Sequence, residues 1–304
     1  MIINGTNLQT LYTGFNAAFQ EGLSQSPSQY KRIATIVPST TRENEYGWLG
    51  KLPNVREWIG DRIVHGLQLH DYTIRNKDWE LTIGVDRNDI EDDNIGVYRP
   101  LFNEMGVTAG AKKDMLAFGL LKQGWATNCY DGQYFFDTDH KVLDENGVEQ
   151  SVANTNGGAG APWFLIDDKR ALKPILLQER KDWKFVAKNQ PTDGNVFDRK
   201  EYVYGIDGRF NVGFGLWQLA FGSKQPLNAE SYGTARAALM GMKGDHGRPL
   251  GVMPSLLVVP PALEGAARAI VSNDMISEVV GGAPVATSNP WKGTADVLVV
   301  PWLA

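Results

Sequence analysis

Residues 129–140 read Cys-Tyr-Asp-Gly-Gln-Tyr-Phe-Phe-Asp-Thr-Asp-His. They include the single cysteine of the chain, Cys129, one of four histidines, His140, and two closely spaced aspartates, Asp137 and Asp139. This is the densest cluster of potentially reactive groups in the sequence. It is either an active site or a structural strap buried in the fold. Acid–base chemistry needs a positioned pair of groups whose pKa values are driven apart. Asp139 and His140 are sequence neighbours, and neighbouring side chains on a strand point to opposite faces. A cysteine nucleophile wants a histidine base and an oxyanion hole, and no local signature supplies them. A zinc site would need more His and Cys ligands; His65 and His70, five apart in a strand-like segment, do not share a face. His246, within Gly244-Asp245-His246-Gly247-Arg248-Pro249, reads as a turn residue. The strap is favoured, so no catalytic residue, cofactor or metal is expected. A hydrolase built on Asp137, Asp139 and His140 is the alternative.

A chain of 304 residues suffices for one large domain or two modest ones with a sizeable core. With 42% apolar and 21% charged residues, the composition excludes a disordered chain. A net charge of −5 argues against holding nucleic acid by bulk electrostatics. The basic pairs Lys169-Arg170, Arg180-Lys181 and Arg199-Lys200 are scattered, and no recognition helix or aromatic RNA-binding motif accompanies them. One cysteine cannot close an intrachain disulfide, so nothing points to an oxidising compartment. The start, Met-Ile-Ile-Asn-Gly-Thr-Asn, lacks the basic and apolar regions of a signal peptide. The longest apolar run, Leu256–Leu263, contains two prolines and is too short for a membrane span. The expectation is a soluble protein made in a cytoplasm.

Leu8, Leu11, Tyr12, Phe15, Phe19 and Leu23 recur at helical spacing, with Thr6 or Asn7 as the expected cap. The polar break at residues 24–29 favours an arm that leaves the body and docks on a neighbour; a helix packed on its own core is the alternative. Ile33–Val37 reads as a strand, followed by an aromatic-rich excursion through Tyr46, Trp48 and Trp58, with short strands at Val55–Ile59 and Arg62–Leu69. Long excursions with few core residues usually bind something. Trp48 and Trp58 either face a partner or are covered by the excursion itself. Arg75-Asn76-Lys77-Asp78 reads as a hairpin turn, and Trp79, Leu81, Ile83 and Val85 alternate as in a half-buried strand.

The acidic run at residues 86–94 lacks the register of a calcium loop and is expected to complement the dipole of a following helix at 97–123. Pro100 fits its first turn and Gly124 its stop. The Gly-rich stretch at 151–161 lacks a phosphate-loop Gly-Lys-Ser/Thr and reads as a flexible surface loop. Beyond it, strands are expected at Trp163–Ile166, Pro174–Gln178, Trp183–Ala187, Glu201–Tyr204, Gly213–Phe221, Leu256–Val259 and Thr294–Val300. Helices are expected at Asn228–Met242 and from Pro261 to about Val271. This mixture predicts an α+β fold without internal repeats.

Taken in order, several segments carry a resemblance. They are Ser28-Gln29-Tyr30 running into Thr41–Trp48 and on through Gly50-Lys51 and Glu57-Trp58; Glu91-Asp92-Asp93-Asn94-Ile95-Gly96; Cys129–Gln133 with Phe135-Phe136-Asp137; Pro162-Trp163; Lys200–Gly205; and Leu257–Pro261. With them the chain resembles the major head (capsid) subunits of Mu-like bacteriophages and prophages. The resemblance implies a Hong Kong 97-like capsid fold. It has an N-terminal arm (1–38), an extended loop with flanking strands (39–85), a peripheral domain (86–158) with a spine helix at 97–123, and an axial domain (159–283). A C-terminal strand (284–304) returns to the peripheral domain. It further implies self-assembly into pentamers and hexamers, with Leu11, Phe15, Phe19, Tyr46, Trp48 and Trp58 as inter-subunit contacts. The icosahedral shell would enclose double-stranded DNA without sequence-specific binding, in a virion assembled in the bacterial host cytoplasm. A scaffolding protein, a head protease and a portal would be partners, and no membrane is involved. Because the chain opens on the arm, a scaffolding segment would be separate or already lost. An encapsulin-like nanocompartment shell is the alternative within the same fold.

Overall fold

The computed structural model describes residues 2–26, 28–49, 72–92, 94–280 and 283–304. Trp58, His65, His70 and the strands expected at 55–59 and 62–69 lie outside them. The described chain is α+β. Helix α1 (Gly5–Gln25) is followed by strands β1 (Ala34–Pro38), β2 (Glu43–Glu45), β3 (Thr73–Arg75) and β4 (Lys77–Asp86). Helices α2 (Arg87–Glu91) and α3 (Arg99–Lys122) lead to β5 (His140–Leu143), β6 (Glu149–Val152), β7 (Thr155–Gly158), β8 (Trp163–Ile166) and β9 (Ile175–Lys188). Then come α4 (Gly194–Arg199), β10 (Glu201–Phe214), β11 (Ala220–Lys224), α5 (Ala229–Met240), β12 (Leu256–Val259) and α6 (Glu264–Val271). Strands β13 (Met275–Val280), β14 (Ala283–Ser288) and β15 (Asp296–Val299) close the chain.

Two sheets organise the molecule, ordered β1-β9-β10-β4 and β15-β12-β8-β11-β7. In the first, α1 and α3 cover one face. Apolar residues at helical spacing on α1 meet Phe102, Met105 and Ala109 of α3 and Phe185, Tyr202, Tyr204 and Ile206 of the sheet. Phe15 stacks on Phe102 at 4.2 Å and meets Tyr204 edge-on at 5.1 Å. The helices touch through Gly22 and Gly106. A Cβ at Gly22 would fall on the carbonyl oxygen of Asn103, and one at Gly106 on that of Phe19.

The α1 helix packs on its own chain, the second of the two readings its sequence offers. Leu11, Phe15 and Phe19 are buried against α3 and the sheet of their own chain, with Phe19 at 0% exposure. The physical reason is the pair of glycines, which lets the backbones close and covers the apolar stripe internally. Tyr46 is likewise buried, its hydroxyl donating to Gln178 Oε1 at 2.8 Å. Trp48 is half-buried against the main core.

Several local expectations shift. Asn4, not Thr6 or Asn7, caps α1, accepting from the Asn7 N–H at 2.8 Å. Asp86 caps the short α2, and Asp89 accepts from the Tyr98 hydroxyl at 2.5 Å, so these carboxylates bind local donors ahead of α3. Residues 75–78 are not a hairpin. β3 pairs with β2 and β4 with β10, and the joint residue Asn76 donates to Ser39 Oγ and to the Thr41 carbonyl. Pro174–Gln178 and Trp183–Ala187 merge into one strand, β9. Its polar middle is held by Lys113, which pairs with Glu179 and, at 2.8 Å, with Asp182. The Gly-rich stretch is no loose loop, because β7 pairs in parallel with β11 and Thr155 accepts from the Trp125 indole at 3.0 Å.

Each sheet draws its strands from distant parts of the chain. β9 and β10 lie within 159–283 but pair with β1 and β4 under α3. The last strand, β15, pairs with β12, and only the turn at Pro301–Leu303 returns toward α3, where Lys122 Nζ donates to the Ala304 carbonyl at 2.6 Å. Arg32 fastens the β8–β9 connection to the C-terminal strand, with Asp168 at 2.6 Å and Asp296 at 2.8 Å.

Candidate functional site

The segment leading out of α3 folds back across the second sheet. Gly132, with φ +84°, turns the chain so that the Cys129 N–H donates to the Gln133 carbonyl at 2.8 Å. The turn delivers two rings into the main core. Phe135 stacks on Phe214 at 4.3 Å, and Phe136 packs between Trp125 and Phe164. Buried Asn154 then fastens the strand end, donating to the Phe135 carbonyl at 2.8 Å and accepting from the Asp137 N–H at 3.0 Å. Buried backbone groups need such partners, and this is a strap.

The reactive-looking side chains do not assemble as a hydrolase needs. The His140 ring is fully buried, stacked on Trp217 at 3.9 Å, and its Nδ1 lies 2.6 Å from Asp131 Oδ2. Asp139 points elsewhere, to Lys141 at 2.9 Å and to the Ser151 hydroxyl. Asp137 accepts from the Thr138 N–H at 2.6 Å. The residue that gathers the cluster is Asp131, which sequence reasoning missed. Its other oxygen accepts from Cys129 Sγ at 3.0 Å and from the Gln133 N–H at 3.1 Å. The available signal was Asp131-Gly132, where a turn brings a carboxylate back over the preceding cysteine. Burial pushes the Cys129 thiol far above its ordinary range, with Asp131 adding to the effect, so it is no nucleophile.

Burial alone would raise the Asp131 carboxyl, but hydrogen bonds from His140 and Cys129 outweigh it and hold the group below its ordinary value. A carboxylate depressed in the folded state contributes stability that is present above the unfolded value, about 3.9, and is lost as pH falls through the folded one. Acid titration of thermal stability should therefore show a steeper fall below about pH 4 for the native chain than for Asp131→Asn. Parallel acid limbs in the two proteins would refute that contribution.

Several large apolar side chains have no cover. Phe197, on α4 at the tip of the β9–β10 hairpin, is 85% exposed. Val97 and Leu101 lie bare at the start of α3, and Met115 is exposed farther along it. No helix among the described residues is long and apolar enough to cross a membrane.

Residues 8–303 match the family model described as the Mu-like prophage major head subunit gpT. The chain is 45% identical over 300 residues to the Mu-like prophage FluMu major head subunit of Haemophilus influenzae, covering 96% of each. It is 38% identical over 309 residues to the major capsid protein of Escherichia phage Mu, covering 100% of each. Among solved structures, a chain of the bacteriophage JBD30 procapsid superposes with TM-score 0.85 at 44% identity, over 99% of this chain and 100% of that one. A chain of the JBD30 capsid decorated with minor capsid protein trimers superposes with TM-score 0.73 at 36% identity, over 94% of each. The near full-length matches show that the chain belongs to the Mu-like prophage major head subunit family, a structural component of the phage head shell.

Proposed function

We propose that copies of this chain assemble as pentamers and hexamers into an icosahedral head of the Hong Kong 97 type that encloses double-stranded DNA. The family match over residues 8–303 carries this proposal. In it α3 is the spine helix, the α1–α3 layer with β1, β4, β9 and β10 is the peripheral region, and the β8–β11–β12 layer with α5 and α6 is the axial region. A scaffolding protein, a head protease and a portal act during assembly. Minor capsid protein trimers, named on the related JBD30 capsid, are further partners.

Contacts between copies use the uncovered apolar groups, above all Phe197 and the Val97–Leu101 end of α3, with the half-buried Trp48 and Trp58 as further contacts. Each contact is modest and repetition stabilises the shell. Negative-stain electron microscopy with mass by light scattering tests the proposal. Rings or shells of repeating subunits are expected; a strictly monomeric protein, with or without scaffold partners, would count against it. Phe197→Asp should leave the subunit folded and cut particle yield by about tenfold or more, because a central aromatic contact is worth about 2 kcal/mol. Undiminished yield would remove Phe197 from the interface.

A further inference from the structure

We propose that Cys129, Asp131 and His140 bind one thiophilic divalent cation, with Zn2+ as the physiological class. The inference is independent of how the subunit assembles. Three observations carry it. First, a thiol, a carboxylate and an imidazole from two separate segments, the 129–132 turn and the start of β5, converge so that their ligand atoms all lie within 4.8 Å of one another. Second, the cluster is enclosed and ordered: Cys129 and His140 are buried, and the His140 ring lies flat against Trp217 with Nδ1 facing the carboxylate. Third, Nδ1 is the ring nitrogen aimed into the cluster, held there by Asp131 and the Trp217 ring, while the opposite nitrogen, Nε2, is buried without a hydrogen-bond partner among the described residues.

The spacing fits a cation. Tetrahedral zinc with bonds of about 2.0–2.3 Å separates its ligand atoms by about 3.3–3.7 Å. Here Sγ to Oδ1 is 3.0 Å and Nδ1 to Oδ2 is 2.6 Å, separations contracted by the shared protons. Replacing those protons with a metal requires these two separations to widen by less than about 1 Å each. The donor set of sulfur, nitrogen and oxygen suits zinc over calcium or magnesium, which take oxygen alone. On binding, the S–H bond breaks, its electron pair forms the S–metal bond, and the proton leaves to solvent. In the neutral imidazole the Nδ1 proton is exchanged for one on Nε2, freeing the Nδ1 lone pair for the metal. One proton is released per cation, and the fourth position falls to water. The bound ion would staple the turn to β5 and so close the strap beneath the second sheet.

The test uses the full chain, stripped with a chelator and titrated with Co2+. Expected are the near-ultraviolet charge-transfer band of a thiolate–cobalt bond and intense tetrahedral visible absorption, both saturating at one ion per chain and both abolished by Zn2+. Cys129→Ser should lose the charge-transfer band. Asp131→Asn and His140→Gln should weaken binding at least as much as losing an outer-shell partner does, about 10–100-fold. Zn2+ should raise the melting temperature of the unaltered chain. A folded, unaltered chain that gives only weak octahedral absorption without the thiolate band, the signature of adventitious surface binding, overturns the proposal. Equal Zn2+ shifts in the unaltered chain and Cys129→Ser overturn it as well.

Discussion

Gly106→Val should detach α1 from α3 and lower the unfolding free energy of the dissociated subunit by about 3 kcal/mol, the upper end for overpacking a core. The new side chain would have to occupy the space of the Phe19 carbonyl and the Leu23 amide, which are backbone and cannot rotate away. The helices must separate, and Phe15, Phe19 and Phe102 lose their mutual contact. Urea denaturation of the isolated subunit measures the effect. Gly14→Ala is the control, since it sits on the exposed side of α1 with open space at its Cβ. It should gain about 0.5–1 kcal/mol from helix propensity. If Gly106→Val is as stable as the native chain, the two helices do not cross at these glycines.

Trp217→Ala should cost about 3–5 kcal/mol, the range for truncating a large buried aromatic. The ring is 1% exposed and packs within the main core. It is also the surface on which His140 rests, so its loss opens a cavity under the strap and releases the imidazole from its fixed angle. Thermal unfolding followed by near-ultraviolet circular dichroism reads both effects. Trp217→Phe should recover more than half of the loss by refilling part of the volume. A Trp217→Ala variant within about 1 kcal/mol of native, less than a large core truncation costs, would mean that the strap carries its own stability.

Elements whose pattern is local were legible in the sequence. A long helix is expected at 97–123 and forms at Arg99–Lys122, because Pro100 and Gly124 mark its ends. β4 follows the alternation of Trp79, Leu81, Ile83 and Val85, and the unbroken apolar runs became β8 and β12. What failed depended on remote partners. The stripe on α1 is the same whether it meets a neighbour or α3, and the choice rests on Gly22 meeting a segment some eighty residues away. β9 looked like two strands because Glu179 and Asp182 interrupt its apolar pattern, and their partner Lys113 lies on α3. β7 is nearly featureless because its pairing is made by backbone atoms alone. In the reactive cluster, sequence proximity to His140 points to Asp137 and Asp139. The ring instead meets Asp131, nine residues back, across a turn.

The order of the four-stranded sheet has a consequence for synthesis. Among the described residues, β1 pairs only with β9, and β4 with β10 alone within that sheet. On the ribosome, α1, β1, β4 and α3 all emerge before Ile175, so the first half of the chain carries two strands without neighbours and two helices without the floor they cover. Long-range pairings of this kind form slowly, and open strand edges with bare aromatic faces recruit other chains. A newly made subunit thus passes through an adhesive, half-built stage, and arrival of the β9–β10 hairpin between the two waiting strands is the event that makes it a self-contained unit.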